Sequence, residues 1–270
     1  MQFKGNLLKM KVSLDQQNRA QYSLNLSDQS ISLNDCVGKK LRLEHTGNIY
    51  CIHSGQKIKK SYQQGYSYEA TLKLAACDLC IVKPELCHYH MGTCREPLWA
   101  QKHCFQPHYL YLAITSSVKI GLTRSEQIPT RWIDQGAQQA ILLAKVSSRR
   151  AAGLIEVQLA KEVSDKTNWT KMLKGEIDGE YDLTQLRDKF QEKHAELFEK
   201  FSAEMITEPL QNIVYPGEYQ LAKVSSYNFD KDCLIEDTLL GIKGQYLIFE
   251  QGVINIRKFQ GYQVCLQFIK

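Results

Sequence analysis

The sequence predicts an α+β fold in which β-rich ends frame a cysteine-rich segment, a mixed α/β segment and one strong helix. Three observations carry that prediction. Short runs of alternating apolar and polar residues crowd both termini. Five of the nine cysteines fall between Cys77 and Cys104. Leu186, Phe190, Leu197, Phe201 and Met205 recur at helical spacing. The expected divisions are residues 1–50, 51–108, 109–175, 176–210 and 211–270. Neither terminal segment has enough strands to bury a core alone, so the last is expected to pair with the first.

In the first segment KGNLLKMKV, AQYSLNLS, QSISL and KKLRLEH read as strands separated by Asp, Asn, Gln and Gly. The last segment holds several such runs, with turns at Glu250-Gln251-Gly252 and Gln260-Gly261-Tyr262. Between them, Tyr109 to Ala113 and Val118 to Leu122 form a predicted hairpin about Ser116-Ser117. Pro129 opens a short helix that Gly136 ends, and Ile141 to Val146 supplies a third strand. A helix over about 149 to 163 follows, with Ile155, Leu159 and Val163 as its apolar stripe. The helix of residues 176–210 starts at Asp182, which with Gln185 offers a capping box.

Composition narrows the function classes. With 43% hydrophobic and 23% charged residues the chain reads as globular, which excludes low-complexity and collagen-like classes. No apolar run approaches a membrane span, and the N-terminus lacks the apolar centre of a secretory signal, so a cytoplasmic protein without membrane contact is expected. The net charge of +5 permits a nucleic-acid partner without demanding one.

An odd number of cysteines, mostly in one cluster, is no disulfide framework. Cys77 and Cys80 have the C-x-x-C spacing that lets two thiolates of one turn face a tetrahedral ion. Cys87, His88, His90, Cys94, His103 and Cys104 supply further donors. The expected zinc ligands are Cys77, Cys80, Cys94 and Cys104, with Cys87 as the substitute. Four protein ligands would make such a zinc structural, leaving no open position. The alternatives are reduced cysteines packed as small hydrophobes, or a redox pair, although no thioredoxin-like pattern surrounds it. On the helix after the third strand, Glu156 is expected to lie between the small residues Ala152 and Ala160. Such neighbours suit a metal or a closely approaching backbone, while the plainer alternative is a solvated carboxylate.

The pattern Y-L-Y, then K-I-G-x-T-R, then Arg131 and Glu156 on successive helices resembles a GIY-YIG nuclease-type module, in the branch reading K-I-G. Over nearly the whole length, phrases such as IVKPELCHYHMGTCREPLW, LTRSEQIPTRWIDQGA and LLGIKGQYLIFEQGVINIRKFQGY resemble the bacterial family known as domain of unknown function 2797. The nuclease resemblance implies that Tyr111 takes a proton from the attacking water, that Gly121 is the glycine of the second motif, and that Arg131 stabilises phosphate charge. It implies that Glu156 holds one divalent cation, Mg²⁺ or Mn²⁺. Lys119 stands where a second tyrosine is usual; it suits phosphate better than proton transfer, and Arg124 nearby is a second phosphate candidate. The family resemblance further implies two C-x-x-C pairs in residues 51–70, of which this chain keeps Cys51 and has Ser54, Ser67 and Ala70 at the other positions. Lys57, Lys59 and Lys60, with Tyr62, Tyr66 and Tyr68, form a basic and aromatic stretch suited to a nucleic-acid backbone and bases, or equally a solvated hairpin.

The expected function is that of a zinc-containing nucleic-acid-binding protein with the parts of a metal-dependent phosphodiester hydrolase. The alternatives are a nucleic-acid binder with a degraded nuclease site, and a structural or protein-interaction module. DNA and RNA are not distinguished by these residues.

Overall fold

Strands from the two ends of the chain hydrogen-bond to each other. Gln2–Asn6 pairs antiparallel with Tyr262–Ile269, which pairs in turn with Lys40–Tyr50. In the computed structural model, which describes residues 2–164 and 166–269, the chain divides into two units. One comprises residues 1–72 and 214–270, the other residues 73–213.

In the first unit the large sheet continues from Lys40–Tyr50 through Leu234–Lys243 and Tyr246–Phe249 to Val253–Asn255. The period-two pattern explains the pairing. Leu41 and Leu43 on one strand, and Tyr262, Val264 and Leu266 on its neighbour, are all buried. A second sheet joins Lys11–Leu14, Ala20–Leu26 and Gln29–Ser32. The run KGNLLKMKV, expected as one strand, is therefore two strands in two sheets. The break has a physical reason: Leu7 and Met10 turn inward and are buried. Their stretch is tied down by Leu7 N–H donating to Tyr262 O (2.8 Å) and Lys9 N–H donating to Gln260 Oε1 (3.0 Å).

The second unit is built on a hairpin, His108–Ile114 with Val118–Arg124, extended on the other side by Gln139–Val146. Short strands Glu204–Met205 and Gln211–Asn212 pair with the far edge of Gln139–Val146. One face of this sheet, carrying Leu110, Leu112, Val118, Ile120 and Leu122, packs on Ile155, Leu159, Phe190 and Phe198 of the helices. The opposite parity carries Tyr111 and Gly121, which are direct cross-strand partners.

Two helices differ from expectation. The one expected over about 149 to 163 runs Arg149–Leu159, capped by Ser148 Oγ accepting from Ala151 N–H (3.3 Å). Asp182 does cap the next helix, accepting from the N–H groups of Thr184 (2.9 Å) and Gln185 (3.1 Å). That helix is nevertheless two, Leu183–Lys193 and Ala195–Lys200. The break falls at His194, whose Nε2 lies 2.9 Å from Glu162 Oε1. Ser202, at φ +49°, ends the second helix, and Met205 lies on an exposed edge strand rather than on an apolar stripe. Among the described residues no helix is long and apolar enough to cross a membrane.

The end-to-end pairing makes a prediction. Truncation after Ile213 removes Leu234–Lys243 and Tyr262–Ile269 from beside Lys40–Tyr50 and leaves only the short pairing of Ile49 and Tyr50 with Lys57–Ile58, so amide hydrogen exchange should show residues 40–48 losing their protection. Retained protection there would refute a fold that depends on chain-distant strands.

Candidate functional site

The cysteine-rich segment of the second unit is a chain of single 3₁₀ turns, Ala75–Cys77, Leu79–Ile81, Pro84–Leu86 and Tyr89–Met91, followed by the helix Pro97–His103. These tight turns bring Cys80, Cys87, Cys94 and Cys104 to the wall of one cavity of about 10 Å³. That is room for a single ion or water. Cys77 is buried in the adjoining turn and is not part of this wall. Burial pushes the Cys80 thiol up to about 11, and Asp78 and the other three cysteines push the same way. Cys104 is raised by burial as well. Four cysteines line this wall without disulfides, an arrangement that costs little only while they are protonated or share a cation.

Among the described residues, the donors found together at metal-holding distance are a different set on the same wall, which shares Cys80 with these thiols. Ligand atoms of Asp78, Cys80 and His88 are all within 4.8 Å of one another. The Asp78 carboxylate, however, is engaged: Arg95 Nε donates to its Oδ2 at 2.7 Å, and Cys80 N–H donates to its Oδ1 at 3.4 Å. Burial would raise the Asp78 carboxyl, but these contacts and His88 outweigh it and hold it low.

In the first unit, the other cysteine position expected to matter is occupied differently. Cys51 is buried, and Ser67 N–H donates to its sulfur at 3.3 Å. Burial would raise this thiol, yet hydrogen bonds from the backbone and hydroxyl of Ser54 and from the N–H groups of Ser67 and His53 bring it down to about 7. Ser67 Oγ in turn accepts from Ala70 N–H (3.1 Å), so positions 51, 54, 67 and 70 are linked by hydrogen bonds. On the same unit Lys57, Lys59 and Lys60 are exposed, and Lys60 Nζ sits 5.4 Å from the Tyr62 ring centroid.

The second unit also gathers Tyr111, Gly121, Arg131 and Glu156. Tyr111 lies flat across its partner strand, and a Cβ on Gly121 would sit 2.5 Å from its Cζ and Oη, so no larger residue fits. Arg131 and Glu156 are the charges that act on the Tyr111 phenol; burial raises it, Arg131 opposes and Glu156 adds. Gln135, at the C-terminus of the helix Thr130–Asp134 and one turn beyond Arg131, lies between them. With its amide nitrogen donating to Tyr111 Oη (2.7 Å), its oxygen accepts from Arg131 Nε (3.2 Å) and Nη2 (3.3 Å), which satisfies every group. Lys119 shares the Tyr111 face but is only 5% exposed, and Arg124 is paired with Glu126 at 2.9 Å.

Sequence reasoning missed two residues here, Gln135 and Arg149. Arg149 opens the helix Arg149–Leu159 two turns before Glu156 and on the same face. Its Nη2 donates to Ile81 O at 2.5 Å, and its backbone N–H donates to Cys104 O at 2.8 Å. Burial lowers its pKa; Cys104 and Glu156 oppose this, while Arg131 and Arg124 add to it. Its Nε is buried with no hydrogen-bond partner among the described residues. Between Arg149 and Glu156 lies Gly153, and a Cβ there would meet Pro84 Cβ at 2.6 Å and Glu85 N at 2.8 Å. The close backbone approach expected beside Glu156 is therefore made by the cysteine-rich segment at Gly153. Ala152, expected on the Glu156 face, packs into the core instead.

Over residues 38–264 the chain matches the family described as protein of unknown function (DUF2797). It belongs to that family. No curated protein and no solved structure matches it. In this DUF2797 member the cysteine cavity and the Tyr111 cluster are parts of one unit, joined by the helix Arg149–Leu159.

The Gly153 contact is testable by sign. Gly→Ala in a helix interior ordinarily stabilises by about 1 kcal/mol. Here Gly153→Ala should lower the melting temperature, because the Pro84–Glu85 backbone must shift to admit the methyl group. A higher melting temperature would mean that this approach is not a tight one.

Proposed function

We propose that this protein binds nucleic acid through a GIY-YIG-like site on the second unit, with a structural zinc in the cysteine cavity and the parts of a divalent-cation-dependent phosphodiester hydrolase. The observation that carries the reading is the convergence of Tyr111, Gly121, Arg131 and Glu156, contributed in chain order by a hairpin, a short helix and a later helix. Phosphodiester hydrolysis needs a cation near the phosphate oxygens, a carboxylate for a metal and a group that moves a proton. Arg131 supplies the first, and Glu156 is a hard oxygen donor suited to Mg²⁺ or Mn²⁺. Such a cation, when bound, supplies Lewis-acid chemistry. Tyr111 Oη accepts from Gln135, which leaves its own proton available and fixes the ring against Gly121.

Zinc is proposed on Cys80, Cys87, Cys94 and Cys104, with Cys87 in the place first given to Cys77. Four soft donors about a volume that admits one ion suit a closed tetrahedral site. Purified protein should contain close to one zinc per chain by elemental analysis. Cys87→Ser should lose metal and melt earlier, whereas Cys77→Ser should keep its metal. Full zinc in Cys87→Ser, or a metal-free parent that melts normally, would overturn the assignment.

Binding without cleavage is the second reading, and one observation favours it. Tyr111 is wholly buried with its phenol raised, so it is not poised to take a proton at neutral pH, and Lys119 stands buried where a second tyrosine is usual. A cleavage screen over DNA and RNA pools with Mg²⁺ or Mn²⁺ separates the two. If the site is catalytic, Glu156→Gln should abolish metal-dependent cleavage and leave binding intact, and Tyr111→Phe should slow it about 10²- to 10⁴-fold. Arg131→Ala should weaken both cleavage and binding. Cleavage by Glu156→Gln at the parental rate would remove Glu156 from the chemistry.

A further inference from the structure

The second unit has another cavity, of about 250 Å³, on the side of the helix Arg149–Leu159 facing away from Gly153 and Glu156. Its walls include Tyr89, Phe105, Leu154 and Phe201, and His90 and Arg150 are part of its lining. No carboxylate lines it. At this size it suits one ring system and is smaller than the roughly 300–1,000 Å³ of sites for larger ligands.

Tyr89 and Phe105 meet edge to face with centroids 4.6 Å apart, which leaves at least one ring face of the pair uncovered by the other ring. Gln101 Nε2 donates to Tyr89 Oη at 3.0 Å and so holds one ring in place. Phe105 is 50% exposed, an unusual cost for a phenylalanine on a surface otherwise free to be polar. Arg150 and His90 are exposed, and neither side chain has a hydrogen-bond or ion-pair partner among the described residues. Cys87 and Cys104 also line it and are shared with the smaller cysteine cavity. Apart from them, apolar ring walls, unpaired cationic and imidazole groups, and the lack of a carboxylate among the lining residues select against an organic cation and against a plain aliphatic side chain. They suit a planar heterocycle attached to an anion.

We infer that this cavity holds one unpaired nucleobase of a single-stranded or frayed nucleic acid, with Arg150 on the adjoining phosphate. The inference rests on the proposed nucleic-acid-binding function and extends it to strandedness. Geometry relates the two sites: Arg150 and Glu156 are six residues apart, roughly 9 Å along the helix axis. A single strand with its base in the cavity has that axial distance to cover and must also pass round the helix, because Glu156 lies on another side of it. Stacking on aromatic rings tolerates any base, so little sequence preference is expected.

The test is fluorescence anisotropy with three probes: a labelled oligothymidine, the same backbone made abasic, and a fully paired duplex. The parent protein should bind the oligothymidine more tightly than the abasic strand. Phe105→Ala should weaken oligothymidine binding about tenfold or more and leave the abasic strand and duplex unchanged. Phe105→Leu keeps an apolar side chain, guards against a folding artefact and should behave like the alanine variant. Arg150→Glu should weaken both single strands and flatten the salt dependence. If the parent binds all three probes but Phe105→Leu changes nothing, or the abasic strand binds as well as the intact one, the cavity is no base pocket while the nucleic-acid reading stands. If the parent binds neither these probes nor their RNA counterparts (an oligouridine and an RNA duplex), the reading itself falls, and the inference with it.

Discussion

The approach of the Pro84–Glu85 backbone to Gly153 is the contact on which the second unit's chemistry depends. A glycine inside a helix costs about 1 kcal/mol relative to alanine, so its presence between Arg149 and Glu156 needs a compensating gain. The gain is docking. Where a side chain would stand, the cysteine-rich segment lies directly on the helix, and Arg149 then reaches across to the carbonyl of Ile81. The segment itself has few buried side chains and only short 3₁₀ turns, which are poor at holding shape alone. Its stability must come in part from this docking and, on the proposed reading, from zinc on the thiols. Glu156 is held on the same helix face as Arg149 and Gly153, so the cysteine-rich segment and this carboxylate are mechanically connected through one helix.

A second constraint is strand parity. On His108–Ile114 the even positions Leu110, Leu112 and Ile114 enter the core, which leaves Tyr111 and Ala113 on the other face. Across the hairpin the same rule sends Lys119 and Gly121 to the Tyr111 side. Lys119 thus stands beside the tyrosine because of register alone, whatever its role. Gly121 has a sharper reason: only a residue without Cβ lets the Tyr111 ring lie across the neighbouring strand. The two motifs of the hairpin are in this sense one packing unit, and substitution at Gly121 would act through the tyrosine.

Much of this was legible in the sequence, and what was not has identifiable causes. Alternation exposed the strands, and the Asp182 cap was readable because its Oδ1 needs only the next turn's N–H groups. The helix break at His194 was invisible because the apolar period continues through it; the partner that turns His194 aside, Glu162, is distant in sequence. Cysteine spacing identified the cluster, with Cys80, Cys94, Cys104 and the substitute Cys87 on one cavity wall, while Cys77 lies in the adjoining turn outside it, a difference that spacing alone does not show. Gln135 and Arg149 look like ordinary polar helix residues in one dimension. Their importance comes from Arg131, Tyr111 and Ile81, which only folding brings near.

The electrostatics of the helix face carry the argument one step further. Arg124 is neutralised by Glu126, and Arg131 is bound to a neutral amide in Gln135. Arg149 is buried against a carbonyl with its Nε unpartnered, and the carboxylate among its titratable neighbours is Glu156. Buried cations are ordinarily paired, because an uncompensated one loses hydration that a carbonyl alone does not restore. Two sources of negative charge would complete this arrangement. Metal-bound thiolates at Cys104 and its companions would offset Arg149 from the cysteine side, since a tetrathiolate zinc centre is formally anionic. A phosphate beside Arg131 and Glu156 would do so from the other. A divalent cation on Glu156 alone would deepen the positive excess, so phosphate and cation are expected to bind together, each lowering the cost of the other.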